Sequence, residues 1–267
     1  MLLTKKSFIK IMIMAICYFL LGTISIVLWI VFNSIGIHEK FLLILGIIVY
    51  FLCVLMIFWG KYAEGKGKLI NLGNKLVRNQ LKPAEFIRQY ELLINSDDLI
   101  IKKPSVEVLQ LVAIAYDSLD DRDKAIVTVD EMINVASEKK KVFANLFKTS
   151  FLFSYNMKEE AEELFDEMQK QKLDIMSAGL VDAILKSDRA MAMGDYKTVE
   201  AYSLNALQRS FPKLDNLGKL IVHYKLGEVY EKLEEYNKAI AYYQYCADFG
   251  GETAIKTSAI EKLQHMN

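Results

Sequence analysis

The sequence predicts an all-α protein in two parts: a pair of membrane-spanning helices, followed by a longer array of amphipathic helices. Two observations lead to this prediction. Residues 11–32 and 41–60 hold no charged side chain and consist mainly of Leu, Ile, Val and Phe. After residue 60, apolar residues recur at spacings of three and four, which is typical of helices with one buried face. We therefore expect two domains, 1–60 and 61–267.

The two apolar runs are each long enough to cross a bilayer as a helix. At about 1.5 Å per residue, roughly 20 residues span the hydrocarbon core. A cleaved signal peptide is the alternative for the first run, but its apolar stretch is longer than such peptides use and a second run follows at once. Neither run contains Asp, Glu, Lys or Arg, so the hairpin is predicted to be an anchor rather than an ion or solute path.

Lysine positions indicate how this hairpin is oriented. Lys5, Lys6 and Lys10 precede the first run, and five basic residues follow the second between 61 and 78, whereas the connecting loop has only Lys40. Positive residues stay on the cytoplasmic side of a membrane. We predict a multi-pass protein of the cell membrane with its N- and C-termini, and all of 61–267, in the cytoplasm.

Composition and motifs argue against several classes of function. Residues 61–267 hold 29 basic and 32 acidic side chains, and an acidic-leaning domain does not suit the phosphates of nucleic acid. The three cysteines have no metal or disulfide spacing, and the acidic runs 117–123 and 158–163 lack the ligand alternation of a calcium loop. No HExxH, GxSxG or phosphate-loop motif occurs, and His223 is expected to be a structural residue of a helix face. We predict no catalytic residue, no cofactor and no metal, and we expect that the protein is not an enzyme.

A pair of helices is indicated most clearly by KLGEVYEKLEEYNKAIAYYQ, residues 225–244. Leu226, Gly227 and Tyr230 fall on one face of a first helix; after a turn at 234–235, Ala239 and Tyr243 fall on one face of a second. This unit resembles the tetratricopeptide repeat (TPR), an antiparallel helix pair of about 34 residues. The resemblance implies small residues at the eighth and twentieth places, where the helices cross closely, and Gly227 and Ala239 take them in a unit spanning 220–253.

Similar units precede this one. They are 66–99 (Leu72, Gly73, Leu76), 106–139 (Ala113, Tyr116, Ala125), 142–175 (Thr149, Ala161, Phe165) and 180–213 (Ser187, Gly194, Tyr196, Ala206). Glu85 departs from the small residue expected in the first of these, and Lys148 and Lys186 stand where the family prefers an apolar residue. The resemblance implies a right-handed α-solenoid of about five helix pairs, with residues 254–267 as a capping helix.

The resemblance also implies where a partner would bind. Solenoids of this family hold an extended peptide or helix on a concave groove lined by four places of each first helix. Those places are Asn74, Gln110, Ile114, Asp117, Leu146, Ser150, Phe153, Ile184, Asp188, Met191, Tyr224 and Glu228. The set combines apolar residues with acids and contains no basic residue. A basic amphipathic segment of a protein or peptide is the partner expected to complement it.

Two classes of function remain open from the sequence. The leading hypothesis is a membrane-anchored adaptor or scaffold that holds a protein or peptide partner at the cytoplasmic face of the membrane. The alternative is a regulatory TPR protein that responds to a peptide ligand. Membrane lipid is expected to contact the two transmembrane helices in either case.

Overall fold

The structure is a computed structural model, and it describes residues 2–4, 12, 16, 22–23, 51, 67–95, 99–102, 104–171, 173–210 and 214–266. It divides into two compact units, Met1–Leu69 with Leu92–Pro104, and Ile70–Glu91 with Ser105–Asn267. The predicted spans 11–32 and 41–60 lie outside the described residues, apart from Met12, Ile16, Gly22, Thr23 and Phe51, which are helical. Among the described helices, none combines the length and the apolar character needed to cross a bilayer.

The first unit contains a short antiparallel ladder that the sequence analysis did not predict. Strand β1 (Leu2–Thr4) pairs with strand β2 (Leu99–Lys102), with Leu2 opposite Lys102 and Leu3 opposite Ile101. The register shifts between Leu3 and Thr4, which faces Leu99. Strands of three and four residues are too short to show the alternation of apolar and polar residues that indicates a strand. The predicted helical unit 66–99 therefore runs into the start of β2.

The other regular elements of the described chain are helices, which confirms the all-α class predicted after residue 60 apart from strand β2. The helices are α1 (67–73, continued by a π-helical segment Asn74–Asn79), α2 (Pro83–Ile94), α3 (Val106–Asp117), α4 (Arg122–Val135), α5 (Glu138–Ser154), α6 (Lys158–Gln169), α7 (Ile175–Ala183, continued by the π-helical Ile184–Arg189 and by Ala190–Ala192), α8 (Tyr196–Asn205, continued by the π-helical Ala206–Ser210), α9 (Asn216–Lys232), α10 (Tyr236–Phe249) and α11 (Ala254–Met266). They pack in sequence as pairs α3–α4, α5–α6, α7–α8 and α9–α10, with α11 against α10.

The same turn joins the two helices in each of these four pairs. One residue of the turn has positive φ: Asp120 (58°), Asn156 (63°), Gly194 (76°) and Glu234 (60°). The next residue caps the second helix and donates its backbone N–H to a carbonyl five residues earlier: Asp121 to Tyr116 (2.9 Å), Met157 to Leu152 (2.9 Å), Asp195 to Ala190 (2.9 Å) and Glu235 to Tyr230 (2.8 Å). This bond satisfies a carbonyl left open at the end of the first helix and reverses the chain.

Side chains start two of the second helices. Asp121 accepts the backbone N–H of Lys124 at 3.3 Å, and Asp195 accepts that of Thr198 at 3.2 Å. Such caps satisfy one of the open N–H groups of the first helical turn. The acidic run 117–123 therefore supplies a turn and a helix start.

The α1–α2 pair has a different turn, one residue longer. Leu81 has a φ of 53°, and Lys82 donates to the carbonyl of Leu76, six residues back, at 2.7 Å. The extra residue shifts the register of α2, so that Phe86 rather than Glu85 lies against Gly73; a Cβ placed on Gly73 would lie 3.1 Å from the Phe86 ring. The longer turn thus moves Glu85 away from the crossing, where the large Phe86 stands in place of the small residue expected.

Buried small residues allow the paired helices to approach closely. Ala113 of α3 and Ala125 of α4 are both fully buried in one apolar cluster with Val129 and Met132. Ala161 of α6 is fully buried in a second apolar cluster, which contains Phe165 and residues of α5 and α7. The closest approach is at Gly227, where a Cβ would meet the ring of the fully buried Tyr243 at 2.6 Å.

We expect Gly227→Ala to destabilise the helical unit by about 1–2 kcal/mol, because overpacking outweighs the helix propensity gained. The Tyr243 ring has little freedom to move aside, since its hydroxyl donates to Glu231 at 2.7 Å. Thermal unfolding followed by circular dichroism measures the change. Gly179→Ala is the matched control: it replaces a helical glycine with open space around it, so we expect a gain of roughly 0.5–1 kcal/mol. A Gly227→Ala protein as stable as the Gly179→Ala protein would contradict the close crossing.

Candidate functional site: the inner face of the helical array

The first helices of two successive pairs, α3 and α5, lie side by side and run in the same direction. At the start of α3 and α5, Lys140 Nζ lies 2.5 Å from Glu107 Oε1. At the ends of the same helices, the Tyr155 hydroxyl donates to Asp117 Oδ1 at 2.7 Å. Because start meets start and end meets end, α3 and α5 are parallel, and equivalent positions of the two helices face the same side.

Polar side chains from four first helices meet on that side, which we call the inner face. It is made of Asp117 from α3, Ser150 from α5, Ser187 and Asp188 from α7, and Lys225 and Glu228 from α9. Lys225 donates to both the Ser187 hydroxyl and the Asp188 carboxylate, and the Ser150 hydroxyl donates to the other oxygen of Asp188. Three helices are therefore connected through one carboxylate.

Asp188 is the most enclosed charge of the inner face. It is 9% exposed, and its Lys225 partner has a side chain 22% exposed. A buried carboxylate is tolerated when it is paired and its remaining lone pairs accept hydrogen bonds, as Lys225 and Ser150 provide here.

Asp117 lies next along the inner face and is strongly influenced by its surroundings. Burial raises the pKa of Asp117 above its usual range, and the nearby charge of Asp188 raises it further. The hydrogen bond from Tyr155 and the positive charge of Lys225 act in the opposite direction. The charges of Asp188 on α7 and Lys225 on α9 both act on Asp117 of α3, so side chains from non-adjacent helix pairs lie near one another on the inner face.

Glu228 extends the inner face towards the capping helix α11. Burial raises the pKa of Glu228 to about 6, and Glu231 adds to the shift, while Lys225, Lys262 and Lys232 act against it. Lys262 of α11 pairs with Glu231 at 2.8 Å. The six residues of the inner face thus include three carboxylates and one lysine.

The structure does not present all of the predicted groove residues on an accessible surface. Leu146, Phe153 and Ile184 are 0–3% exposed and belong to the apolar cluster around α5, α6 and α7. Their role is core packing, as in the edge contact of Phe153 with Phe165 at 6.3 Å between ring centroids. The half-buried members are Asn74, Gln110, Ile114, Asp117, Ser150, Met191, Tyr224 and Glu228.

Lys225 is the residue of the inner face that sequence reasoning missed. The TPR pattern assigns Tyr224 to the groove and Leu226 to the core. It assigns no role to position 225 between them. A groove without a basic residue was the expectation, but Lys225 turns towards Asp188. One lysine among several charged residues of α9 is a weak signal, and its acidic partner lies in another unit.

The remaining polar residues singled out in the sequence have structural contacts. His223 stacks on Tyr245 at 3.6 Å between centroids, its Nδ1 lies 2.8 Å from the Lys219 carbonyl, and burial lowers its pKa. Lys148 pairs with Asp130 at 2.8 Å, and Lys186 pairs with Asp182 at 2.7 Å. Both lysines, which stand where the family prefers an apolar residue, are therefore accommodated by ion pairs. Within the described ranges, no three His, Cys, Asp or Glu side chains are grouped as metal ligands would be.

Comparison of the chain with protein-family models, with curated proteins and with solved structures finds no match.

We expect Lys225→Met to destabilise the array by roughly 3–5 kcal/mol, because it leaves the Asp188 carboxylate buried without its cation. The double variant Asp188→Asn/Lys225→Met should recover much of this loss, since it removes both charges together. Denaturant unfolding of the wild type, the two single variants and the double variant gives the coupling energy. Additive losses would show that the two side chains are not a buried pair.

Proposed function

We propose that this protein is a membrane-anchored adaptor of the TPR type, which holds a protein or peptide partner at the cytoplasmic face of the membrane. The observation that carries the proposal is the repeated helix pair. The same turn, with its positive φ and its bond to the fifth residue back, recurs at Asp120, Asn156, Gly194 and Glu234. These four residues occupy the same place in the units starting at 106, 142, 180 and 220, so one register accounts for all four.

A right-handed solenoid of five helix pairs is the architecture that we propose from this register. The α1–α2 pair is the fifth, with its longer turn at Leu81. Helix α11 is the proposed cap, and its fully buried Ala259 and the Lys262–Glu231 pair attach it to the preceding helices. An end cap covers the apolar face that a terminal repeat exposes.

The membrane anchor is proposed on sequence grounds. The uncharged runs 11–32 and 41–60 and the lysines on their outer flanks support a hairpin with both ends in the cytoplasm. Tethering raises the effective concentration of a bound partner near the membrane without any new contact. An adaptor therefore needs only a partner-binding surface, and no catalytic group.

The inner face is the partner-binding surface that we propose. Asp188 is already neutralised by Lys225, so the charge that a partner would meet comes from Asp117 and Glu228. Half-buried apolar residues such as Ile114 and Met191 lie among the same predicted groove positions. A basic amphipathic segment complements a surface that combines apolar and acidic groups.

A ligand-responsive regulator is the second candidate, and one observation favours it. The first helix pair touches the last: Arg78 Nη1 at the end of α1 lies 3.1 Å from Asp215 Oδ2 at the start of α9. A ligand that binds better when these two ends are apart would shift the chain away from the arrangement in which they touch.

We expect a reporter enzyme that is active only outside the cytoplasmic membrane to be silent when fused after Asn267. The same reporter fused within the loop 33–40 should be active, because that loop is predicted to lie on the outer side. Reporter activity in intact cells, normalised to fusion-protein level, is the measurement. High activity after Asn267 would overturn the hairpin topology.

We expect Asp117→Asn/Glu228→Gln to reduce partner capture by the full-length protein by roughly tenfold, because it neutralises the two acids of the inner face with little change of shape. The control is Glu160→Gln/Glu163→Gln, which removes two exposed acids of α6 and should leave capture unchanged. Affinity capture from detergent-solubilised membranes, quantified by mass spectrometry, measures both, and circular dichroism checks that helicity is retained. Equal capture by the two double variants would exclude the inner face as the binding surface.

A further inference from the structure

The two ends of the helical unit are joined by a set of contacts that we call the seam. The seam connects Arg78, Asn79, Leu81 and Ser118 on one side to Asp215, Asn216, Glu252 and Ala254 on the other. Its bonds are Arg78–Asp215 at 3.1 Å, the Asn216 amide to the Asn79 carbonyl at 2.7 Å, Glu252 N–H to the Leu81 carbonyl at 2.9 Å, and Ala254 N–H to the Ser118 carbonyl at 2.8 Å. In a solenoid each repeat ordinarily contacts only its neighbours, so contacts between the first pairs and the last are an additional feature.

Gly251 shows how close the two ends are. A Cβ on Gly251 would lie 2.5 Å from the Leu81 Cβ and 2.7 Å from its carbonyl oxygen. Gly251 has a φ of 59°, and Leu81 has a φ of 53°. Two turns with unusual backbone conformations are therefore in direct contact, and Leu81 is 5% exposed as a result.

The closed arrangement restricts access to the inner face. Asp188 is covered by its bonds to Lys225 and Ser150, and in the closed arrangement Asp117 of α3 lies near enough to Lys225 of α9 for their charges to interact. A polypeptide segment that contacts Asp117, Ser150 and Glu228 together needs space between helices that converge in this arrangement. The inner face must therefore widen before a partner of that size can bind.

We propose that the seam is the gate of the inner face: its contacts separate to admit a partner, and the arrangement described here is the closed form. This inference rests on the proposed function, because it assigns the inner face to a protein or peptide. We expect the helical array to open at the seam. Its ion pair is partly exposed, with side chains 34% and 27% accessible, and an exposed pair is weakened by solvent and salt. The second and third pairs share an apolar cluster, and so do the third and fourth.

An alkylation experiment on full-length protein tests the gate. Ile114→Cys places a thiol on α3, one turn from Asp117, and its reaction with a maleimide is followed peptide by peptide by mass spectrometry. Arg78→Glu replaces the seam ion pair by repulsion. Ala254→Pro removes the N–H that bonds to Ser118, while proline suits the first position of a helix.

Each seam variant has a matched control. Arg88→Glu breaks the exposed pair with Glu85 within α2, and Glu138→Pro places proline at the first position of α5, after Ser137 in an extended conformation. We expect each seam variant to raise the alkylation rate of the thiol introduced at position 114 roughly two- to tenfold over its control. When the seam is intact, added salt should also raise this rate, because salt weakens the exposed ion pair. Circular dichroism establishes that helicity is unchanged in the variants compared.

The outcomes separate the gate from the proposed function. Alkylation rates that match those of the controls in both seam variants overturn the gate, whatever the capture result. Faster alkylation together with stronger partner capture supports the gate and the inner face as the binding surface. Faster alkylation with unchanged capture supports the gate as a structural device and counts against the inner face as the partner's site.

Discussion

The structure depends on one backbone hydrogen bond that recurs where each helix pair reverses direction. The residue capping the second helix donates to a carbonyl five residues back, and the residue before it has positive φ, as at Asp120 and Asn156. This bond reverses the chain within a few residues and brings the second helix back alongside the first. The small residues at the crossing, Gly227 above all, then allow the helices to pack at the distance that the turn imposes. Where the turn gains a residue, at Leu81, the register of the following helix moves with it.

Regular stacking of the pairs brings together charges that lie far apart in the sequence. Lys225 and Asp188 belong to different units, and their pairing places them on a common side of α7 and α9. Burying a charge is unfavourable unless a partner of opposite charge and further hydrogen bonds accompany it. Ser150 and Ser187 supply those bonds. The inner face therefore connects three helices and also holds more carboxylates than lysines.

The sequence predicts the parts of this molecule that follow from local periodicity. Apolar residues at helical spacing indicated an all-α class after residue 60, and the small residues Ala113, Ala125 and Ala239 are indeed fully buried. Contacts that join distant residues carry no such signal. The pairing of Leu2–Thr4 with Leu99–Lys102, the inward turn of Lys225 and the seam at Arg78–Asp215 each require a partner elsewhere in the chain, which one sequence does not reveal. Burial of Leu146 and Ile184 was missed for a related reason, since a template assigns a helix face without knowing how tightly the array winds.

The seam also affects the order in which this chain can fold. Within a helix pair, contacts join residues close in sequence, and such contacts form quickly because little chain has to be brought together. Arg78 and Asp215 are separated by 137 positions, and Ala254 reaches Ser118 only after α9 and α10 have been made. Helix pairs can thus be completed one after another during synthesis, from the N-terminal side onward. Closure comes last, because one side of the seam, from Asp215 to Ala254, is made only after the preceding helix pairs.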